Sequence, residues 1–175
     1  MLETLVTSKT RVKLLLKFFL NPNTSAYLRG LTSEFGESSN AVRLELNRLE
    51  KAGMLTSKNV GNKRIFQVNK EHSLFDPIHH IVQKYIGLDK IIDFVVNKLG
   101  NLESAYLCGD LAKGKASDVI DLIFIGNIDR NYLNTAIVKA QNLTGKKIKY
   151  LIYKSEEALD KTFNGQDYLL IWTKK

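Results

Sequence analysis

The sequence predicts an α+β protein made of two small domains, and three observations support this class. In the first seventy residues, apolar side chains recur at helical spacing. Two β-prone runs then flank Gly61-Asn62, which is typical of a hairpin. From Ser104 onward β-prone and helical segments alternate, which indicates a small mixed sheet of about four strands with helices against it. The predicted domains are residues 1–87 and 88–175.

Three helices are predicted to open the first domain. Each carries apolar residues at intervals of three and four, and each ends at a residue that disfavours helix. The three segments are Ser8–Leu20, Ser25–Phe35 and the stretch from Ser38 or Ser39 to Ala52. Asn21-Pro22 ends the first segment, Gly36 the second and Gly53 the third, where glycine supplies a left-handed exit.

A hairpin and two more helices are predicted next. The hairpin strands are Met54–Val60 and Lys63–Asn69. Asp76 is predicted to cap a helix that has Pro77 at its first position. The apolar stripe of that helix comprises Ile78, Ile81, Val82, Tyr85 and Ile86. A further helix contains Ile91, Ile92, Val95, Val96 and Leu99, and closes at Gly100.

The second domain is predicted to hold four strands and two helices. The strands are Ser104–Cys108, Val119–Ile125, Ile148–Tyr153 and Tyr168–Trp172. One helix, Asn131–Leu143, separates the middle strands, and a short one, Glu156–Lys161, precedes the last.

The net charge of +8 is concentrated in the first half of the chain. Residues 1–87 hold 13 Lys and Arg against 7 Asp and Glu, a balance of 13 − 7 = +6. Residues 88–175 hold 13 against 11, a balance of 13 − 11 = +2. A basic domain suits a polyanionic partner, because cations that neutralise phosphates release counterions. Charge alone does not separate DNA from RNA or anionic lipid.

The cysteine count and the apolar runs predict a cytoplasmic protein with no membrane segment. Cys108 is the only cysteine, so no intrachain disulfide forms. The longest apolar run, Leu14–Leu20, contains Lys17 and is too short to span a bilayer. The N-terminus does not have the layout of a signal peptide.

The third helix and the hairpin carry the residues expected to contact duplex DNA. Polar side chains share one side of the helix, opposite its apolar face. Arginine bonds guanine edges and asparagine bonds adenine edges in the major groove, while basic side chains of a hairpin reach phosphates. The candidate DNA-binding residues are Ser38, Ser39, Asn40, Arg43, Asn47, Arg48, Lys58, Asn62, Lys63 and Arg64.

The segment LTSEFGESSNAVRLELNRLEKAGMLTSKNVGNKRIFQVN resembles the winged helix-turn-helix regulators of the ArsR/MarR type. The matching features are an apolar triad in the third helix, the run Leu49–Met54, and a hairpin containing Gly61. The resemblance implies that the third helix is the recognition helix and the hairpin the wing. It also implies a homodimer formed through terminal helices, here Asp76–Ile86 together with Ser8–Leu20. A symmetric dimer places two recognition helices roughly 34 Å apart.

The segment YLCGDLAKGKASDVIDLIFIG resembles the minimal nucleotidyltransferases of the polymerase-β superfamily. Gly109 matches the glycine of the phosphate-holding turn, and Asp110 stands where serine is expected. Ala112-Lys113-Gly114 matches Ala-Arg-Gly, and Asp121 matches the second of two metal-binding aspartates. The resemblance implies a vestigial nucleotide pocket at Gly109, Asp110, Lys113, Lys115, Asp118 and Asp121.

Departures from that pattern predict a domain without catalysis. Val119 occupies the position of the first aspartate, and Asp118 is three residues from Asp121, on the opposite face of a straight strand. Lys149 or Tyr150 stands where a third acid is needed. One carboxylate does not hold two metal ions. We therefore expect no catalytic residue, no metal and no cofactor; the three histidines, His72, His79 and His80, do not form a ligand set.

Three functions remain open on the sequence. The first is a sequence-specific, DNA-binding transcriptional regulator with a non-catalytic effector or interaction domain, whose small-molecule or protein effector is unknown. The second is an active nucleotidyltransferase that modifies a partner molecule. The third is a protein-interaction module that does not bind DNA. Binding of duplex DNA, incorporation of nucleotide, and capture of a stable protein partner separate these three functions.

Overall fold

The computed structural model describes residues 5–96, 99, 101–154 and 168–174. It divides into two compact units, Met1–Tyr85 and Ile86–Lys175. Their elements confirm the predicted α+β class and the mixed four-stranded sheet. The predicted helix Glu156–Lys161 and the closing Gly100 lie outside the described residues.

Three helices and a small sheet make up the first unit. The helices are α1 (Lys9–Leu15), which continues as a π-helical turn over Leu16–Leu20, α2 (Leu28–Phe35) and α3 (Ser39–Lys51). Ser8 and Ser38 cap α1 and α3 through their side-chain oxygens. Gly36 and Gly53 take left-handed backbone conformations after α2 and α3, as predicted.

The sheet of the first unit has three strands in the order β1–β3–β2, all antiparallel. They are β1 (Ala26–Tyr27), β2 (Leu55–Val60) and β3 (Lys63–Val68). The predicted start of the second helix at Ser25 is wrong, because Ala26 and Tyr27 pair with Phe66 and Ile65 of β3. Helix α2 therefore begins only at Leu28, directly beside the hairpin.

Helix α4 (Phe75–Ile86) presents two different apolar faces. On one face the Phe75 ring stacks on Phe19, and His79 bonds the Phe19 carbonyl through Nδ1. On the other, Ile81 is 47% exposed, and Leu74, directly before the helix, is 46% exposed. Within the predicted stripe, Val82 and Ile86 are thus buried, whereas Ile81 is exposed. Asp76 lies within the first turn and is not the cap.

The second unit is a four-stranded sheet with helices. Its elements are α5 (Leu88–Phe94), β4 (Leu102–Cys108), α6 (Gly109–Ala112), β5 (Val119–Gly126), α7 (Arg130–Thr144), β6 (Lys147–Tyr153) and β7 (Leu169–Thr173). The strand order is β6–β5–β4–β7. Only β5 and β6 are parallel, joined by α7, while β4 is antiparallel to both its neighbours.

Buried apolar residues of β4 and β5 form the centre of the second unit, including Leu107, Leu122 and Phe124. Helix α5 packs on α7. Among the helices that the structure describes, none has the length and apolar character needed to cross a membrane.

Candidate nucleic-acid interface

Helix α3 buries one face and leaves its polar residues at the surface. Val42, Leu46 and Leu49 are buried, which fixes the helix on the first unit. On the exposed side lie Ser39, Asn40, Arg43, Leu44, Asn47 and Arg48. Ser38 is used as the cap, accepting a hydrogen bond from the Ala41 amide at 3.2 Å. The structure therefore brings together the exposed positions that the sequence predicts for this helix.

Glu45 is a buried carboxylate in the middle of α3. Its side chain is 5% exposed and lies between two guanidinium groups, with Arg11 Nε at 2.8 Å and Arg48 Nη1 at 3.0 Å. Burial raises the pKa of Glu45, but the hydrogen bonds from Arg11 and Ser8 and the charges of Arg11 and Arg48 outweigh it. The net result is a pKa below the ordinary 4.5. Arg48 is exposed, yet its charge is compensated within the domain.

Glu50 ties the hairpin to the end of α3. Arg64 Nη2 contacts both oxygens of Glu50, at 2.6 and 2.7 Å, and Arg64 Nε donates to Ser57 Oγ at 2.9 Å. The Ser57 hydroxyl also donates to Glu50. A paired guanidinium is a stiff link, so the hairpin is held against α3. Arg64, predicted as a free DNA contact, is thus engaged by an acid of its own domain.

The remaining predicted hairpin residues are exposed. Lys58, Asn62 and Lys63 all lie at the surface of the hairpin. The Lys63 ammonium sits 4.6 Å from the centroid of the Tyr27 ring, a cation–π contact.

Two clefts run between the hairpin and the helices. One, of about 190 Å³, is lined by Leu28, Arg43, Leu46, Asn47, Arg64 and Phe66. The other, of about 300 Å³, is lined by Tyr27, Leu28, Arg29, Asn62, Lys63 and Arg64. Because Leu28 and Arg64 line both, the clefts adjoin. Residues of α3 and of the hairpin therefore share one surface that carries arginine and lysine side chains.

Sequence reasoning misses Tyr27 and Arg29. The sequence pattern places both in the interior of a helix beginning at Ser25, with no role in binding. The signal that marks them is the pairing of β1 with β3, which sets Tyr27 opposite Ile65, two residues from Lys63. No local sequence pattern predicts a strand of two residues such as β1.

A third cleft lies in the second unit, where β4 ends. It has a volume of about 440 Å³ and is lined by Cys108, Gly109, Asp121, Leu122, Lys149, Tyr150 and Leu151. Gly109 has φ +69°, and a Cβ added there would lie 2.5 Å from Asp121 Oδ2, so the turn closely approaches the carboxylate. Of the predicted pocket residues, Gly109 and Asp121 line this cleft. Asp110, Lys113, Lys115 and Asp118 are not among its lining residues.

The chemistry of this cleft differs from that of a two-metal site. Asp121 is the only carboxylate in its described lining, and Lys149 is the residue paired with it on β6. Asp118 is exposed, 3.7 Å from Lys146 Nζ. Burial, with a contribution from the charge of Asp121, raises the pKa of the Cys108 thiol to about 11, so it stays protonated at neutral pH. Across the described part of the chain, His, Cys, Asp and Glu form no cluster of three suited to a metal.

Comparison with known proteins yields no family assignment. No family model matches the chain, and no curated protein matches it. Among solved structures, reduced HlyU from Vibrio cholerae is similar over 47% of this chain and 82% of its own, with 13% identity and a TM-score of 0.38. The Shewanella oneidensis HEPN toxin in complex with MNT antitoxin is similar over 50% of this chain and 71% of that one, with 15% identity and a TM-score of 0.39. AF1382 from Archaeoglobus fulgidus covers 53% of this chain and 94% of its own, with 18% identity and a TM-score of 0.37. Likenesses at these TM-scores carry no argument about function.

Proposed function

We propose that residues 1–87 form a winged helix-turn-helix domain that binds double-stranded DNA, and that the protein is a sequence-specific transcriptional regulator. In this proposal α3 is the recognition helix and the β2–β3 hairpin is the wing. The observation that carries it is the shared basic surface, on which Arg43 and Asn47 of α3 line the same cleft as Arg64 of the hairpin.

The charge pattern of the first unit supports this proposal. Both acids of α3, Glu45 and Glu50, are ion-paired with arginines. Arg43 has no ion pair among the described residues, and its side chain is exposed. The exposed side of α3 therefore offers an arginine and an asparagine, the side chains that form bidentate contacts with guanine and adenine.

The second domain, residues 88–175, is in this proposal a nucleotidyltransferase-like effector or interaction module without catalysis. A single carboxylate beside Lys149 in the described lining of its cleft supports this, since two-metal transfer needs several acids. Incubation of the full chain with labelled nucleotide and Mg²⁺ tests it. Incorporation that is abolished by Asp121→Asn contradicts the proposal and makes the protein an enzyme.

The proposed regulator is a homodimer that uses helix α4. Leu74, directly before the helix, and Ile78, Ile81 and Tyr85 recur at spacings of four, three and four, on a different side of the helix from Phe75 and His79. The apolar residues of α1 and its π-helical turn are buried, which leaves α4 as the candidate contact. A symmetric dimer brings two recognition helices to two half-sites.

Binding to duplex DNA is the direct test of the proposed function. The full chain is incubated with fragmented genomic DNA, bound fragments are sequenced, and the affinity for the enriched site is measured at about 50 and 200 mM salt. We expect one enriched motif and a steep loss of affinity with salt. Arg43→Ala/Asn47→Ala should weaken binding by roughly 1–3 kcal/mol for each base that the removed side chains bond, and should relax the motif at those positions.

The matched control is Lys139→Ala/Asn142→Ala, which removes the same charge and the same amide from exposed positions of α7. It should leave both affinity and motif unchanged. Equal effects of the two variants, or no salt-dependent binding by the wild-type chain, contradict the proposed function.

A further inference from the structure

The second basic cleft of the first unit is lined by three cations and no acid among the described residues. It has a volume of about 300 Å³ and lies between the start of α2 and the tip of the hairpin. Arg29 comes from α2, and Lys63 and Arg64 come from β3. Asn62 adds an exposed amide at the hairpin turn. This composition suits an anion with several acceptor oxygens.

The three cations of the cleft are not equivalent. Arg64 is paired with both oxygens of Glu50, so it forms a wall of the cleft and holds the hairpin in place. Arg29 and Lys63 have no ion-pair partner in the described part of the chain. By contrast, four other cations of this unit, Arg11, Lys13, Lys17 and Arg48, each contact a glutamate. The unpaired side chains of Arg29 and Lys63 therefore line the same cleft, and no acidic residue is in its described lining.

The Tyr27 ring fixes the position of the Lys63 ammonium. Lys63 Nζ lies 4.6 Å from the ring centroid. On the other side, a Cβ added at Gly30 would lie 3.3 Å from Tyr27 Cζ, so the glycine leaves room for the ring against α2. The backbone of Tyr27 is held in the sheet because Tyr27 pairs with Ile65 of β3. A flexible lysine is thus held over an aromatic face at the edge of the cleft, which reduces the entropy lost on binding an anion there.

We infer that this cleft binds one phosphate of the DNA backbone, with Arg29 and Lys63 as its ligands and Tyr27 as a positioning residue for Lys63. The inference rests on the proposed function and deepens it. The cleft adjoins the one that contains Arg43 and Asn47 through their shared Arg64, so a phosphate here belongs to the same duplex that α3 reads. Contacts of this kind set register and orientation and carry no base information.

The experiment measures the affinity of the full chain for several duplexes by fluorescence anisotropy over a series of salt concentrations. Each phosphate neutralised contributes about 0.9 to the slope of log affinity against log salt. Arg29→Ala/Lys63→Ala should lower that slope by about 0.9 and weaken binding by the same factor for every sequence. Arg130→Ala/Lys139→Ala removes an arginine and a lysine from exposed positions of α7 and should change neither quantity.

Variants at Tyr27 test the positioning role. Tyr27→Phe keeps an aromatic face and should bind as the wild type does. Tyr27→Leu removes the face and should approach the affinity and salt slope of Lys63→Gln. The Lys63→Gln variant leaves β1 and the Tyr27 ring intact. It therefore measures the contribution of the Lys63 ammonium to DNA affinity even if a change at Tyr27 disturbs folding. Circular dichroism establishes the folding of each variant.

The outcomes separate this inference from the proposed function. Absence of DNA binding by the wild-type chain overturns both. An unchanged salt slope in Arg29→Ala/Lys63→Ala, with Arg43→Ala/Asn47→Ala still defective, overturns the phosphate cleft alone. Equal defects in Tyr27→Phe and Tyr27→Leu overturn the role of the ring. Saturation of the cleft by inorganic phosphate, seen as a thermal shift that needs Arg29 and Lys63, together with an unchanged DNA salt slope, identifies a free anion as the ligand and also overturns it.

Discussion

At the scale of single residues, the proposed DNA-binding surface depends on the ion pairs that neutralise the two glutamates of α3, Glu45 and Glu50. Glu45 lies on α3, the proposed recognition helix, and is nearly fully buried, so its negative charge would oppose DNA binding if left unpaired. Arg11, 34 residues away, supplies the compensating charge. The sequence shows that Glu45 and Glu50 lower the local charge, but only the tertiary structure identifies the arginines that cancel them.

The carboxylate of Glu45 should stabilise the first unit above its pKa. The pKa of Glu45 is lowered in the folded state, so its stabilisation is present above the ordinary 4.5 and is lost as pH falls through the folded value. Glu45→Gln should therefore be less stable than wild type by roughly 1–3 kcal/mol at neutral pH, and the difference should disappear in acid. Native-state hydrogen exchange of amides in α3 between neutral and acidic pH measures this for the first unit alone.

The control for Glu45 is Glu71→Gln, which removes a carboxylate from an exposed side chain. A difference between Glu45→Gln and wild type that stays constant with pH would show that the carboxylate charge contributes nothing.

At the scale of elements, the boundaries of α3, set by local chemistry, follow the prediction, whereas the Asp76 cap and the start of α2 do not. Ser38 caps α3 and Gly53 ends it in a left-handed conformation, both as predicted. The start of α2 differs because β3 draws Ala26 and Tyr27 into the sheet. A cap is determined by neighbouring residues, whereas a strand needs a partner about forty residues away, and no local propensity specifies it.

The turn from β4 into α6 should tolerate only glycine at position 109. Gly109→Ala places a Cβ 2.5 Å from Asp121 Oδ2 and 3.2 Å from its Cγ, so the carboxylate must rotate and the rest of the Asp121 side chain must shift by a few tenths of an ångström. Gly145→Ala is the matched control, with φ +67° and nothing within 4 Å. In both variants the free energy of unfolding should fall by roughly 1–2 kcal/mol, because alanine disfavours a left-handed backbone conformation. Gly109→Ala should lose roughly 1–3 kcal/mol more from overpacking.

Urea unfolding followed by fluorescence of Trp172, the single tryptophan, measures both glycine variants in the second unit. The additional loss of stability in Gly109→Ala should be recovered in Gly109→Ala/Asp121→Ala, because the second substitution removes the carboxylate that the new Cβ contacts. Equal losses in Gly109→Ala and Gly145→Ala would show that the close approach to Asp121 has no energetic consequence.

At the scale of the whole molecule, net charge and apolar surface suggest how the protein assembles on DNA. Much of the excess positive charge belongs to residues 1–87, which hold the proposed reading surface. Ile81 of helix α4 and Leu74, directly before the helix, are each about half exposed. An apolar stripe of this spacing is suited to pack against a second copy of the same helix.

The α4 stripe should determine the oligomeric state. Ile81→Asp places a charge in the proposed dimer contact, so we expect a monomer by analytical ultracentrifugation and weaker binding to a site with two half-sites. His80→Asp is the control, because His80 is exposed on a different side of the same helix. A wild-type chain that sediments as a monomer, or an Ile81→Asp variant that remains dimeric, contradicts the proposed dimer.

Much of the fold was predictable, while the candidate site was only partly so. Helical periodicity and the Gly61-Asn62 turn predict α1, α3 and the hairpin to within a few residues. The exposed positions Asn40, Arg43 and Asn47 follow from that periodicity. Arg29 and Tyr27 do not, because their importance depends on a strand pair and a cleft formed between separate elements.

The sequence alone determined the apolar face of α3, the ends of α2 and α3 at Gly36 and Gly53, and which half of the chain carries the charge. These properties depend on neighbours within one or two helical turns, and local spacing records them directly. The tertiary structure decided which arginines are free and which are committed. In the sequence Arg11 and Arg64 cannot be distinguished from Arg29 and Arg43, and only the approach of separate elements pairs them with glutamates, whereas Arg48 pairs with Glu45 three residues before it on the same helix.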